Sequence, residues 1–161
     1  RDAQESRGLG DVYKRQFLFY LAKQLEAKNV RDDSMNKKLM IVTNNPLVAE
    51  EMSDKFDIIY RETSYEGILQ EIRDLVHRGF QLLTHPLSGS VKPKETPYKS
   101  VMMREGASLD KDSLMMIEKA METCRKFEDK TGRYSAETLE DFKLIDLELI
   151  KGAGASCVYI N

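Results

Sequence analysis

The sequence predicts a three-layer α/β fold, in which a mostly parallel sheet of about four strands carries helices on both faces. Two observations predict it. Short apolar runs with β-branched residues, typical of strands buried on both faces, recur at 38–43, 57–62 and 80–84. Segments with helical spacing lie between these runs, and such alternation favours parallel strands joined by right-handed crossovers.

The composition indicates a single globular domain and excludes several classes of function. The chain has 161 residues and a hydrophobic fraction of 41%, enough for one core. Its formal net charge of -2 predicts neither nucleic acid nor an anionic membrane as a partner. Cys124 and Cys157 form no C-x-x-C pair, which argues against a dithiol redox motif or a zinc knuckle.

The first residues do not read as part of the fold. RDAQESRGLGDVYKRQ, residues 1–16, is polar, lacks a sustained period and is similar to translated sequencing-adapter sequence. We therefore expect a non-native or disordered leader over 1–34, although 17–34 also fits a short amphipathic helix. Its apolar run FLFYLA is too short to span a membrane. Met35 is the candidate start of a single domain over 35–150, followed by a tail over 151–161.

The first half of the domain predicts a β-α-β-α-β order. After strand 38–43, Asn45 is a candidate helix cap and Pro46 occupies the first helical position. The second strand, 57–62, leads into Thr63-Ser64-Tyr65-Glu66, which fits a capping box. The helix that follows ends at Gly79, before the third strand at 80–84. Its predicted apolar face consists of Ile68, Leu69, Ile72, Leu75 and Val76.

The second half predicts a strand and two longer helices. SVMMRE, 100–105, reads as a fourth strand at a sheet edge because it ends in charged residues. Helical spacing then marks a segment that begins near Asp110 and ends before Thr131, and a second segment that Ser135 caps. The apolar faces are Leu114, Ile117, Met121, Cys124 and Phe127 in the first, and Leu139, Phe142, Ile145 and Leu149 in the second. GAGASCVYIN predicts a flexible join and a β-prone tail, either disordered or a small edge strand.

Two stretches rich in hydrogen-bonding groups follow predicted strands. In open α/β sheets, ligands bind outside the carboxyl ends of the strands. If strands one and three are neighbours, the groups at their ends face one another. Pro86 fixes the backbone after the third strand, and Gly89 between two serines allows an anion-binding turn. We therefore predict ligand-binding roles for Thr43, Asn44, Asn45, Thr84, Ser88, Gly89, Ser90, Lys92, Tyr98 and Lys99.

The predicted ligand is a carboxylate or a phosphate. Lys92, Lys94 and Lys99 place positive charges within one loop, which Pro93 and Pro97 stiffen. The alternative is a solvated surface loop without a ligand, since Ser, Gly, Pro and Lys are ordinary loop residues. Loop length favours a site, because long loops without secondary structure are uncommon in compact domains.

His85 is the candidate catalytic residue, because a histidine at a strand exit can exchange a proton near neutral pH. The alternative is a purely structural ring that hydrogen-bonds the neighbouring loop. No G-x-G-x-x-G, Walker A or metal-ligand spacing occurs in the sequence. We therefore expect no metal and no cofactor.

Three segments of the chain resemble the GrdX family. They are IVTNNPLV at 41–48, LLTHPLSGSVKPKETPYKSV at 82–101 and LEDFKLIDLELI at 139–150, so the resemblance spans roughly 35–150. It implies a small cytoplasmic protein of anaerobic bacteria that is encoded with glycine, sarcosine and betaine reductase systems. The resemblance implies this context of amino-acid fermentation and no molecular activity.

Three functions remain open at this point. The first is an accessory protein that binds a small anionic metabolite at the strand ends. The second is an assembly or regulatory partner of the reductase, docking through the methionine-bearing helix at 113–127. The third is a small enzyme in which His85 acts as acid or base while Ser88, Ser90 and Lys92 hold the substrate.

Overall fold

The structure, a computed structural model, describes the backbone of residues 39–158 and the side chains of 39–155, together with Arg15 and Leu18. Apart from those two residues, the predictions for the leader lie outside the described residues, as do the last three residues of the tail. The predicted domain bounds therefore stay predictions. The elements are β1 (Leu39–Thr43), α1 (Pro46–Met52), β2 (Asp57–Tyr60), α2 (Tyr65–His77), β3 (Gln81–Leu82), β4 (Ser100–Arg104), α3 (Lys111–Arg125), a 3-10 turn (Thr131–Arg133) and α4 (Ala136–Val158).

The four strands form one mixed sheet in the order β2-β1-β4-β3. β1 runs parallel to β2, whereas β4 runs antiparallel to both β1 and β3. The α/β class is confirmed, but the prediction of a mostly parallel sheet is wrong. Residues 83–99 contain no helix, so the chain reverses after β3 without the helical crossover that usually joins parallel strands. The predicted stacking in three layers stays a prediction.

The charged end of β4 predicted a position at the edge of the sheet, and this prediction is wrong. β4 lies inside the sheet, between β1 and β3. Its first four residues are buried, and Val101, Met102 and Met103 are fully buried. Arg104 ends the strand, and its Nε donates to Gln81 Oε1 at 2.9 Å, so the charged residue has a partner on β3. A charge at the end of a strand therefore does not indicate an edge position here.

Alternate residues of β1 and β4 divide between two buried clusters. Ile41 and Met102 pack with apolar residues of α1 and α4, including Val48 and Ile150. Their neighbours along the strands, such as Val42, pack with residues of α2 and α3. The side-chain alternation of the strands thus distributes the four helices between two hydrophobic cores. The five apolar positions predicted for α2 are all buried in the second of these clusters.

Capping residues begin the helices much as the sequence predicts. Asn45 caps α1, with its side chain accepting a bond from Leu47 N, and Pro46 is the first helical residue. α2 is capped by Ser64 and not by Thr63, and Gly67 occupies the position where a capping box has Glu or Gln. Gly79 has a φ of 100°, the left-handed conformation that ends this helix.

α4 differs from its prediction in length and in orientation. It continues through residues 151–158, where the sequence predicted a flexible join. Gly154 allows this because a Cβ there would lie 3.3 Å from Met102 Cε, so the helix packs close to the sheet. The buried face contains Leu147 and Ile150, whereas the predicted Ile145 and Leu149 are about two-fifths exposed. Packing against the sheet outweighs the low helix propensity of glycine.

Among the helices of the described residues, none combines the length and the apolar character that crossing a bilayer requires.

Candidate functional site

The end of β1 lies directly beside the start of β4, because the two strands are antiparallel neighbours in the sheet. Thr43 pairs with Ser100 in the sheet register, and their hydroxyl oxygens are 2.6 Å apart. The segment that precedes β4 therefore meets the Asn44-Asn45 corner. β1 and β3 are not neighbours, but the loop between β3 and β4 brings its last residues to this corner.

Asn44 joins three segments of the chain through its buried side chain. Its Nδ2 donates to Thr63 O at 2.9 Å and to Pro97 O at 2.8 Å. Its Oδ1 accepts a bond from Lys99 N at 2.8 Å. The amide thus links β1 to the turn before α2 and to the residues before β4. This is a structural contribution at a position where the sequence predicted ligand binding.

Asn45 and Asp146 form a second buried group with Thr43 and Ser100, which we call the Asp146 network. Asn45 Nδ2 donates to Asp146 Oδ2 at 3.0 Å, and Ser100 Oγ donates to the same oxygen at 2.7 Å. Ser100 N donates to Asp146 Oδ1 at 3.1 Å. The Asn45 backbone N–H donates to Thr43 Oγ1, so a continuous chain of hydrogen bonds ends at the carboxylate.

Asp146 was not predicted from the sequence. It lies on α4, far along the chain from β1, and the helical period predicted a different buried face for this helix. The available signal was Ile150, four residues after Asp146, because a helix that buries Ile150 also turns Asp146 toward the sheet. Three donors to one carboxylate compensate for the loss of hydration, which makes a buried acidic residue tolerable here.

Lys99 is the other buried charged group of this corner. Lys99 is only 7% exposed to solvent. Burial lowers the pKa of its ammonium group from 10.5 to about 8, and the nearby Asp146 carboxylate opposes that change. Among residues 39–155 the structure shows no hydrogen bond to this ammonium group, and no fully buried side-chain nitrogen there lacks a partner, so the nitrogen touches solvent. The side chain of Lys99 is therefore buried along its length while its charged end reaches water.

Lys99 and Asp146 both line a small recess on the surface. Its empty space is about 250 Å³, open solvent included. Its enclosed part has room for about one water molecule, so a larger ligand would lie mostly at the surface. Hydroxyl groups come from Tyr65, Ser88, Thr96 and Tyr98, and an apolar wall comes from Val91, Ile145 and Leu149. Of the predicted ligand-binding residues, Ser88, Tyr98 and Lys99 meet here.

Other predicted residues lie outside this lining. Thr84 Oγ1 accepts a bond from Met102 N at 2.9 Å and so extends the pairing of β4. Ser90 hydrogen-bonds Ser88 through its backbone and hydroxyl groups, with Gly89 in the bend between them. Lys92 is not among the residues that line the recess. The ligand-binding roles of these residues stay predictions.

His85 is buried behind the loop that follows β3. Its Nδ1 lies 3.0 Å from Leu87 N, which can donate to it, and 3.2 Å from Leu87 O, which can accept from it in the other tautomer. Burial, reinforced by the charge of Lys99, lowers the pKa of the imidazole to about 4. The ring is therefore neutral near pH 7 and shapes the turn at residues 85–87.

No group of three or more His, Cys, Asp or Glu side chains in the described part of the chain is arranged to hold a metal ion.

Comparison with known proteins gives a family and no closer relative. No curated protein and no solved structure matches the chain significantly. A family model described as GrdX-like protein matches residues 40–154, which are most of the chain. The match includes the Asn44-Asn45 corner, the loop before β4 and Asp146. The chain belongs to the GrdX-like family.

Proposed function

We propose that this protein is a cytoplasmic accessory protein of a glycine, sarcosine or betaine reductase system, and that it binds a small anionic metabolite in the recess beside Lys99. Membership of the GrdX-like family supports the first part. The arrangement of charged and hydroxyl groups around the recess supports the second part.

The observation that carries the proposal is Lys99, whose side chain is buried and whose ammonium group has no hydrogen bond to a described residue. Burying a charge is costly unless hydrogen bonds or an opposite charge compensate for it. Asp146 is near enough to attract the ammonium group, but its oxygens are occupied by donors from Asn45 and Ser100. An anion in the recess would supply the acceptor that Lys99 lacks among the described residues. We infer that this acceptor is the physiological reason for a lysine here.

The recess also supports a choice of ligand class. Ser88 and Tyr98 line the same recess as Lys99, and hydroxyl groups suit carboxylate or phosphate oxygens. The recess is too small to enclose a nucleotide, so a small anion would sit at its mouth.

Thermal unfolding in the presence of acetate or inorganic phosphate tests the proposal, with sodium chloride at the same ionic strength as the reference. A ligand at one hundred times its Kd stabilises the folded state by about 2.7 kcal/mol. We expect stabilisation of the wild-type protein and of Lys119→Met, a control on the exposed side of α3. We expect no stabilisation of Lys99→Met. Equal stabilisation of both variants, or none of the wild type by either anion, would reject the proposal.

A second candidate function is supported by the surface of α4. Leu144, Ile145 and Leu149 are each at least two-fifths exposed on this helix. Apolar side chains grouped on an exposed surface are typical of docking sites, so a reductase subunit is a candidate partner. The predicted docking helix exposes Met115 but buries Ile117 and Met121 in the core, so it presents fewer exposed apolar side chains than α4 does.

Co-purification with the reductase subunits separates this candidate from the first. If α4 docks, Leu144→Lys should reduce recovery of the subunits, whereas Leu109→Lys, at an exposed position before α3, should not. If both variants recover the subunits as the wild type does, docking through α4 is rejected.

Acid–base catalysis by His85 has the least support. A base with a pKa of about 4 is weak at neutral pH, and its Nδ1 already lies within hydrogen-bonding distance of Leu87 N and O.

A further inference from the structure

We propose that two copies of this chain associate by antiparallel pairing of β2 with β2, which joins their two sheets into one continuous sheet. The inference is independent of the recess and of the function proposed for it. It rests on the position of β2 in the sheet, on the direction of its backbone groups and on the charges at its two ends.

β2 is an edge strand of the sheet. In the order β2-β1-β4-β3 it pairs with β1 alone among the described residues. The other edge strand, β3, has only two residues, and a very short strand is a common protection of an edge. β2 has four residues and contains neither proline nor lysine, two residues that often protect edge strands. β2 is therefore the edge at which another strand can add.

The backbone groups of Ile58 and Tyr60 point away from β1. Arg61 N donates to Thr43 O at 3.0 Å, so the backbone groups of Arg61 face β1. Successive residues of a strand direct these groups to opposite sides, which turns those of Tyr60, and of Ile58 two residues earlier, outward. Tyr60 O shows the same direction, because it accepts a hydrogen bond from the exposed Arg61 Nη1 at 3.0 Å. The outer edge thus presents the N–H and C=O groups of both residues.

One antiparallel register uses all of these groups. When Ile59 of one copy lies opposite Ile59 of the second copy, each Ile58 lies opposite the other copy's Tyr60. Ile58 and Tyr60 then exchange both of their N–H···O=C bonds, as the residues of a hydrogen-bonded antiparallel pair do. The arrangement is symmetric, so one patch serves both copies, as a two-fold dimer requires.

The charges at the two ends of β2 complement each other in this register. Asp57 of each copy lies opposite Arg61 of the other copy. Cross-strand pairs of opposite charge stabilise a sheet, whereas like charges directly opposite each other destabilise it. Arg61 is held beside the edge, since its Nη2 lies 3.4 Å from Glu71 Oε1 while its side chain is 54% exposed. Antiparallel registers shifted to either side place Ile59 opposite Asp57 or Arg61 and lose this match.

Apolar side chains on both faces of β2 gain cover in the dimer. Ile58 and Ile59 pack against the two different cores but are only partly buried, and Tyr60 is 37% exposed. The pairing places each Ile59 beside its symmetry mate and each Ile58 beside an aromatic ring. Pairs of aromatic and β-branched residues across two strands are favourable. Removal of this apolar surface from water also favours association.

Analytical ultracentrifugation of the full chain over a range of concentrations tests the inference. We expect the wild type to pass from monomer to dimer as the concentration rises. Asp57→Arg and Arg61→Asp each place like charges opposite each other twice in the dimer, so each should raise the dimer Kd by about tenfold or more. Lys119→Glu, a charge reversal on the exposed side of α3, should leave the Kd unchanged. A wild type that is monomeric at every concentration, or a dimer whose Kd neither edge variant raises, would overturn the inference.

Mixing the two edge variants tests the register. In a mixed dimer of Asp57→Arg with Arg61→Asp, both cross-strand pairs are again of opposite charge. The mixture should therefore dimerise with roughly the Kd of the wild type, although each variant alone dimerises poorly. Circular dichroism first shows that each variant is folded. A mixture of folded variants that dimerises no better than the separate proteins would reject the pairing.

Amide hydrogen exchange on the wild type gives a readout that needs no variant. The N–H groups of Ile58 and Tyr60 should exchange more slowly at high protein concentration, because the dimer gives them acceptors. Exchange of the amides within α3 should not depend on concentration. Exchange at Ile58 and Tyr60 that is the same at low and high concentration would contradict the pairing.

Discussion

Replacement of Lys99 by methionine should make the protein more stable at neutral pH. Methionine keeps most of the length of the side chain and removes the charge. The pKa of Lys99 falls from 10.5 to about 8 on folding. At about 1.4 kcal/mol per pKa unit, holding the ammonium group in this buried position lowers the free energy of unfolding by about 3 kcal/mol. We expect Lys99→Met to recover roughly 2–3 kcal/mol of this.

The same argument fixes the direction of the pH dependence. Because the folded pKa is the lower one, the unfolded chain binds more protons between about pH 8 and pH 10.5. The free energy of unfolding of the wild type should therefore rise with pH in that window, as the folded state loses its buried charge. Lys99→Met lacks this group, so its advantage over the wild type should shrink as the pH rises.

Urea unfolding measured at several pH values from neutral to alkaline tests both statements. Lys119→Met serves as the control, and its stability should stay within about 0.5 kcal/mol of the wild type. A Lys99→Met protein less stable than the wild type at neutral pH would refute the reasoning. So would a stability difference that is the same at neutral and at alkaline pH. A gain in stability together with a loss of anion binding would show that the lysine is kept for function at the expense of stability.

Three further predictions follow from other parts of the structure. Asn44→Ala should lower the free energy of unfolding, measured in urea, by about 2–4 kcal/mol, because it removes the hydrogen bonds to Thr63 O, Pro97 O and Lys99 N. A decrease below about 0.5 kcal/mol would mean that water replaces the amide. Gly152→Ala should raise the melting temperature, because alanine has a higher helix propensity than glycine by about 0.5–1 kcal/mol. Gly154→Ala should not raise it, because its Cβ would lie 3.3 Å from Met102 Cε. Equal increases for the two variants would contradict the packing of α4. Burial lowers the pKa of His85 from 6.5 to about 4, so the wild type should lose stability as the pH falls from 6.5 to 4. His85→Asn keeps an acceptor for Leu87 N and should lose less stability when acid unfolding is measured. An identical loss in the two proteins would show that His85 does not cause the acid sensitivity.

Local signals in the sequence predicted most of the elements. The Asn45-Pro46 pair, the apolar period of α2 and Gly79 each act over a few residues, so their effect can be read directly from the chain. The sheet order was not predictable in this way. Whether β4 lies beside β1 or at an edge depends on how residues 83–99 return to the sheet, and no local pattern in that loop specifies its path.

The residues of the candidate site also fall into those that local sequence indicates and those that depend on contacts between distant segments. The sequence indicated the Asn44-Asn45 corner and the loop before β4, because both combine polar residues with adjacent strands. It could not distinguish Lys99 from Lys92, since the two differ in burial and not in residue type. Asp146 was not predicted, because α4 buries the face that contains Leu147 and Ile150. The apolar period had indicated a different face, which contains Ile145 and Leu149. Burial, which sets the cost of each charge, is decided by contacts between distant segments.

The position of β4 has a consequence for the order in which the chain can assemble. In the sheet of the described residues, β3 is attached to β1 only through β4, which is made later in synthesis. A nascent chain that has emerged only as far as residue 99 can join β1 to β2 but leaves β3 without its neighbouring strand. The central pairing of β1 with β4 links positions as distant as Leu39 and Arg104, which slows folding relative to local pairing. Completion of the sheet must therefore wait for the ribosome to release β4, and the corner that holds Lys99 can form only at that stage.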